Sequence, residues 1–210
     1  MPTLSILKKV TMAITGLLWA GFLVSHVSGN FLLFKGPEAF NGYSEMLHEL
    51  GGLLYLAEAG LVAFLALHVV SGIQLTLRNR AARPQAYASA RTNGKATLFS
   101  RSMVFGGILI ALFIPLHVAA FKYGDMSGPD GLYGLVVRSF GENKGMAAWY
   151  VLVMIAVGMH LAHGLGSALQ TLGVGNAERR ALLRKAGLAV GWAIALGFMS
   201  MPIYFGFLRG

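Results

Sequence analysis

The sequence predicts an all-α membrane protein of five transmembrane helices. Of its 210 residues, 56% are hydrophobic and only 12% charged, against about a quarter charged in an ordinary soluble domain. Five apolar stretches, at about 10–34, 53–77, 103–121, 147–172 and 187–208, are long enough to cross roughly 30 Å of hydrocarbon as helices. Four of the five carry histidine, an expensive residue at that depth and a pointer to function. No repeat or separate soluble domain interrupts them, so residues 1–210 read as one membrane domain.

The first span follows Lys8 and Lys9. That start resembles a signal peptide, but the apolar run is too long and no small-x-small cleavage site follows; we expect a retained helix after a short polar-side lead. It ends in SHVSGNFLLF, which holds His26. In the connection at 35–52, Pro37 and the pair Gly51–Gly52 bracket a short helix. The second span has Glu58 near one end and His68 nearer the other, and the charges of SGIQLTLRNR stop it. A basic loop follows, with Arg83–Pro84 directing an extended start. The third span holds Pro115 and His117. In the long segment at 123–145, LYGLVVRSF has the apolar spacing of a helix lying on a bilayer surface. The fourth span carries two histidines, His160 and His163, and the fifth none.

The formal net charge of +9 is distributed by side rather than as a nucleic-acid footprint. Lys8, Lys9, Arg78, Arg80, Arg83, Arg91, Lys95, Arg101, Arg179, Arg180, Arg184 and Lys185 fall at one set of helix ends. Only Lys35, Lys122, Arg138, Lys144 and Arg209 fall at the other, where Glu38, Glu45, Glu49, Asp125, Asp130 and Glu142 also lie. The positive-inside rule then puts the N-terminus in the cytoplasm and, after five spans, the C-terminus outside. No base-reading motif accompanies the charge, so the basic face is expected to meet lipid headgroups or a partner protein, not nucleic acid.

Cysteine is absent. Iron–sulfur ligation, thiolate haem ligation and covalent haem attachment are therefore excluded for this chain. Imidazole remains. At 1.5 Å per residue, His26 lies roughly 26 Å from Lys9 and His117 roughly 24 Å from Arg101. From the basic ends of their own spans, His68 lies roughly 15 Å, His160 roughly 17 Å and His163 roughly 13 Å deep. The histidines thus sort into two levels, His26 with His117 toward the outside and His68 with His160 or His163 toward the inside. A lone histidine in a span is more often an interhelical hydrogen-bonding residue than a ligand. Four at two matched depths are what two six-coordinate haems b require, since bundles hold cofactors between facing helices. Small neighbours (Ser25, Gly29, Ser71, Gly72, Gly158, Gly164) would let a flat macrocycle approach the backbone. A metal site at His160 and His163 alone lacks a carboxylate in the span.

Several motifs carry a family resemblance. They are KK-x-x-M-A-x-T-G from Lys8 to Gly16, S-H-x-x-x-N from Ser25 to Asn30, F-x-G-x-x-A-F-N-x-Y from Phe34 to Tyr43, R-P-x-x-Y from Arg83, S-R-x-M from Ser100, and His160 four residues before Gly164 with Thr171-x-Gly173 beyond. In this order and spacing they resemble the cytochrome b membrane anchor of succinate:quinone oxidoreductases (succinate dehydrogenase and fumarate reductase), in its b558-type, single-subunit, di-haem form. The resemblance covers most of the chain. It implies that the first four helices form a haem-binding bundle in a bacterial cytoplasmic membrane. The distal haem b would take His26 and His117, and the proximal haem His68 and His160. The spacing to Gly164 selects His160 and leaves His163 as its neighbour, near a propionate or a docked subunit.

The resemblance further implies a flavoprotein and an iron–sulfur subunit as partners, with dicarboxylate chemistry on the partner side. Electrons would pass to or from a membrane quinone, usually menaquinone, linking the tricarboxylic acid cycle to the respiratory chain. Arg101 is a candidate for a haem propionate or subunit contact within the basic loop, most of which the positive-inside bias explains. Quinone chemistry needs a proton acceptor. Glu58, roughly 15 Å outward of His68, is the candidate, with Glu45, His48 and Glu49 as loop reserves. Some relatives carry a carboxylate inside the fourth helix for transmembrane proton movement; here Gly158 stands two residues before His160, and that helix has no acid. The alternatives are a cytochrome b of a quinone-linked hydrogenase or formate dehydrogenase, and a haem-free transporter whose histidines relay protons or bind substrate.

Overall fold

A computed structural model describes residues 2–81, 98–176 and 178–209, with side chains over 6–81, 102–176 and 178–209. Seven α-helices account for nearly all of it and no strand occurs among the described residues. They are α1 (Pro2–Asn30), α2 (Pro37–Glu49), α3 (Gly52–Ala81), α4 (Leu98–Phe121), α5 (Gly131–Gly141), α6 (Lys144–Thr171) and α7 (Arg180–Ile203). Five segments are long and apolar enough to span a membrane: Ile6–Lys35, Gly52–Ala81, Ser102–Phe121, Lys144–Thr171 and Arg180–Leu208. The protein is therefore a multi-pass helical membrane protein, the form in which every backbone polar group in hydrocarbon finds its partner locally. Several helices begin ahead of the expected apolar limits, most of all α1 and α7. Lysine and arginine stems can extend a helix into the headgroup region with the charge still in water.

Around the bundle the order is α3, α1, α6, α4: α1 packs on α3 and α6, and α6 packs on α4, while α3 and α4 barely touch. The fifth span, α7, lies on the far side of α6 in the most extensive helix contact of the fold. Sequence dictates that contact. Gly158, Ala162 and Gly166 recur every fourth residue on α6, as do Gly187, Gly191 and Ala195 on α7. A Cβ added to Gly191 would stand 2.6 Å from the Ala162 backbone nitrogen, and one on Gly187 3.1 Å from that of Gly166. Close backbone approach through small residues replaces the hydrophobic drive that lipid cannot supply. Gly158 faces Ala195 and Trp192 of α7, so it serves helix packing and not the approach of a cofactor. Gly29 likewise faces the Tyr43 ring.

The core gathers on α6, where Ala147, Val153, Met154, Val157 and Leu161 are buried against Ile194, Ala195 and Met199 of α7. In α3 the buried residues are Ser71 and Leu75; Leu56, Val62, Leu67, Val70 and Ile73 face outward, as lipid contact allows. At the end away from the basic loops, α2, α5 and the last residues cap the bundle. Asn41 donates to the Asp130 carbonyl at 2.8 Å and accepts from Tyr133 N at 3.0 Å. Arg209 donates to the Tyr133 hydroxyl at 2.7 Å, and Lys144 donates to the Gly206 carbonyl. The helix expected to lie on a bilayer surface is α5, but Tyr133, Val136 and Phe140 are buried in this cap. Its apolar face meets protein, because Phe205 and α6 supply a partner before lipid does.

Replacing Gly191 by Ala is expected to destabilise the protein by about 1–3 kcal/mol through overpacking against rigid backbone. Gly21→Ala meets open space and should be neutral or slightly stabilising. Thermal unfolding in detergent measures the contrast.

Candidate functional site

Two pairs of imidazoles cross the bundle on its two diagonals. His26 of α1 meets His117 of α4 with ring centroids 5.9 Å apart and planes at 82°. His68 of α3 meets His160 of α6 at 6.2 Å and 65°. These are the helices that do not otherwise pack on each other, so the imidazoles occupy the bundle axis. Three helices measure the separation of the levels. Thr15, which touches His68, lies eleven residues before His26 on α1, roughly 16 Å. Tyr150, which touches His117, lies ten residues before His160 on α6, roughly 15 Å. Gly107, whose added Cβ would stand 3.4 Å from the His160 ring, lies ten residues before His117 on α4, again roughly 15 Å.

Local sequence fixes the rings. The His68 Nδ1–H donates to the Met12 carbonyl at 3.1 Å, with Thr15 Oγ1 at 3.4 Å. Thr15 in turn donates to the Thr11 carbonyl at 2.7 Å. A carbonyl only accepts, so His68 carries its proton on Nδ1 and keeps the Nε2 lone pair. His117 Nδ1 exchanges a hydrogen bond with the Tyr150 hydroxyl at 3.3 Å. Aromatic rings enclose the outer pair: Phe22 stacks on His26 at 5.3 Å and Phe113 on His117 at 5.5 Å, with Phe198 and Phe121 beside them. The Met103 backbone lies near His160, yet no hydrogen bond of normal geometry reaches the enclosed His160 Nδ1. The enclosed Trp19 indole N–H has none either.

Each level thus offers two imidazoles. Among the described residues no cluster of three or more His, Cys, Asp or Glu exists to complete a free metal ion's shell. Two imidazoles by themselves would leave the shell of a bare metal ion incomplete.

His163 is half-buried one turn along α6 from His160, and no ring contact joins it to His68 among the described residues. Glu58 pairs with Lys122, a partner that lies just beyond α4 and was not foreseen from the sequence. The carboxylate holds the Lys122 ammonium above the usual lysine range, chiefly by accepting its hydrogen bond. Glu45, His48 and Glu49 are exposed on α2, where His48 Nδ1 donates to the Ser44 carbonyl at 2.7 Å. The Arg101 side chain, with Arg83, Arg91 and Lys95, lies outside the described residues. Tyr150 and Thr15 were also missed. Thr15 had a signal: eleven residues before His26 is three helical turns, so both lie on one face of α1.

Tyr150→Phe strips His117 Nδ1 of its partner and should cost about 1–3 kcal/mol, the penalty of an unsatisfied buried group. Thr15→Val should cost under about 1 kcal/mol, because the Met12 carbonyl still receives His68. Unfolding in detergent compares the two.

Comparison with family models, with curated proteins and with solved structures finds no match.

Proposed function

We propose that this chain is the di-haem b membrane anchor of a succinate:quinone oxidoreductase in a bacterial cytoplasmic membrane, with its basic end toward the cytoplasm. The observation that carries the reading is the pair of diagonal imidazole contacts at two levels on the bundle axis. Each pair brings two imidazoles from opposite helices within 5.9 and 6.2 Å between ring centroids, so both rings of a pair could be donated to one group. The enclosed, partnerless nitrogens of His160 and Trp19 and the bare α3/α4 seam also fit a group lodged between these helices.

When bound, haem would supply a one-electron iron couple at each level. His26 and His117 would hold the outer haem, and His68 and His160 the inner one. The protein's own part is orientation and exclusion. The Met12 carbonyl keeps Nε2 of His68 available, Tyr150 fixes the His117 ring, and the aromatic rings around the outer pair keep water away. Such second partners of ligating histidines govern orientation and basicity.

In the complex, a flavoprotein would oxidise succinate to fumarate, releasing two electrons and two protons, and an iron–sulfur subunit would deliver the electrons to the basic end. A membrane quinone, menaquinone in our reading, takes two electrons and two protons to become quinol; fumarate reduction reverses both halves. Glu58 exchanges a proton with the quinone oxygen at the outer level. Arg101 and His163 at the basic end would face a propionate or the docked subunit.

A pyridine haemochrome assay on the purified chain should find two haems b. A haem-free preparation from haem-replete cells would count against this reading and favour a transporter. Co-purification of flavin and iron–sulfur centres separates it from the cytochrome b of a hydrogenase or formate dehydrogenase. His26→Ala and His117→Ala should each lose one haem, the same one by its spectrum and potential, and His68→Ala and His160→Ala the other. Glu58→Gln should slow quinone turnover by roughly 10²-fold, the scale of general acid–base catalysis, while dye-linked succinate oxidation stays unchanged.

A further inference from the structure

The ion pair between Glu58 and Lys122 is the single salt bridge among the described residues, and it stands at a particular place. It joins α3 to the end of α4, the two bundle neighbours that otherwise barely meet. Both side chains are about one-third exposed, Lys122 at 36% and Glu58 at 34%, as expected at the rim of the hydrocarbon. Tyr55 and Tyr123 stand on either side, 69% and 75% exposed, with the Lys122 ammonium 5.8 Å from the Tyr123 ring centroid. Exposed tyrosines mark a membrane–water interface. Helical geometry continues to Lys122, whose amide donates to the Val118 carbonyl at 2.9 Å. Lys122 therefore lies five residues, roughly 7.5 Å, beyond His117. Glu58, ten residues outward of His68 on α3, is roughly 15 Å from the inner level, which is the level of the outer pair.

We propose that Lys122 is a positioning residue for quinone chemistry: by pairing with Glu58 across the α3/α4 seam it holds the carboxylate at the lipid-facing mouth level with His26 and His117. This inference rests on the quinone reading given above. Without Lys122 nothing described on α4 meets Glu58, and the carboxylate would turn toward water at the rim. A pair with both side chains about one-third exposed is weak enough to part when a ligand enters. A quinone matches the opened pair in chemistry. Its two carbonyl oxygens can accept a hydrogen bond from the ammonium and, once the carboxylate has taken a proton from water at the rim, a proton from Glu58, while its apolar tail remains in lipid along the seam. Reduction to quinol takes two electrons delivered through the complex and two protons, both drawn from water at the rim and passed on in turn by Glu58, one to each carbonyl oxygen. Lys122 is asked only to orient, and it neither gains nor loses a proton in the net reaction.

The test uses the whole complex with Lys122→Met, Lys122→Arg and Glu58→Gln, read against menaquinone and against a water-soluble dye. Lys122→Met should keep both haems and the dye-linked rate, and lower quinone kcat/KM by roughly 10–100-fold, the range expected when a reacting group is misplaced. Lys122→Arg, which can still pair with the carboxylate, should recover most of that loss. In the Glu58→Gln background, Lys122→Met should cost little more, because the two residues act as one unit. A Lys122→Met complex with normal quinone kinetics overturns the proposal, and so does one that loses the outer haem, which would make the residue a structural tie. Equal defects in Lys122→Met and Lys122→Arg would also overturn it. A wild-type complex that never reduces quinone defeats the underlying reading as well, so the two failures are told apart by the wild-type control.

Discussion

An imidazole nitrogen taken into hydrocarbon needs a partner, and the bundle is arranged around four such rings, two of which the chain itself partners. Water is not available at the bundle centre, and an unpaired polar atom there carries the full cost of its desolvation. His68 meets the demand with a backbone carbonyl three residues before Thr15, and His117 meets it with a tyrosine hydroxyl. The enclosed Nδ1 of His160 has no hydrogen-bond partner, and in the proposed reading a haem between the facing rings would take one nitrogen from each. That constraint sets the diagonals, since His26 must face α4 and His68 must face α6 for the rings to meet on the axis. It also fixes the rotation of each helix about its own axis, a quantity that apolar residues facing lipid on every side leave undefined.

Much of the arrangement was legible in the sequence because it depends on length and depth alone. A span must be about twenty apolar residues long, and a histidine's position within it converts to depth at a fixed rise. The five spans and the two histidine levels could therefore be read directly, as could the short helices α2 and α5. What could not be read depends on which neighbour a helix face meets. Gly158 sits two residues before His160, and sequence proximity cast it as room for a cofactor. Two residues turn a helix through about 200°, so it faces α7 instead. The stripes at 158, 162, 166 and 187, 191, 195 were visible, but in a chain with 28 glycines a spacing of four draws no notice until a partner stripe is known. For α5 the apolar spacing was correctly seen, and its partner was not. The Lys122 side chain gave no local signal at all, since its significance lies on another helix.

The distribution of packing bears on how the proposed function would be served. α6 is clamped on one side by α7 through near-contact of backbones and carries His160 on another face. α1 packs on α6 and carries His26. Each level therefore has one histidine on a helix packed against several others, His26 on α1 and His160 on α6, and one on a helix less fully held, His117 on α4 and His68 on α3. The fifth span, with no histidine of its own, acts as the splint that makes α6 rigid. Helix pairs in lipid gain little from burying apolar surface, since lipid tails solvate leucine as well as another helix does. α3 can therefore present Val62, Leu67 and Val70 outward without penalty.

It follows that the loose side of the bundle is loose for a physical reason. On the proposed reading, a protein that holds a wide, flat group on its axis cannot also close all four seams, because side chains that filled the α3/α4 gap would exclude the group's edge. The gap instead has α3 tied to α1 and, at its far end, to α4 through one ion pair. An ion pair suits that position better than an apolar contact. It needs polarity only at the rim, where headgroups and water reduce its desolvation cost, and it leaves the hydrocarbon depth of the seam free. The seam with one charged fastening and the two pairs of imidazoles behind it are thus consequences of the same requirement. In the proposed reading the axis would be reserved for the haems, and the opening to it would lie where the membrane can reach it.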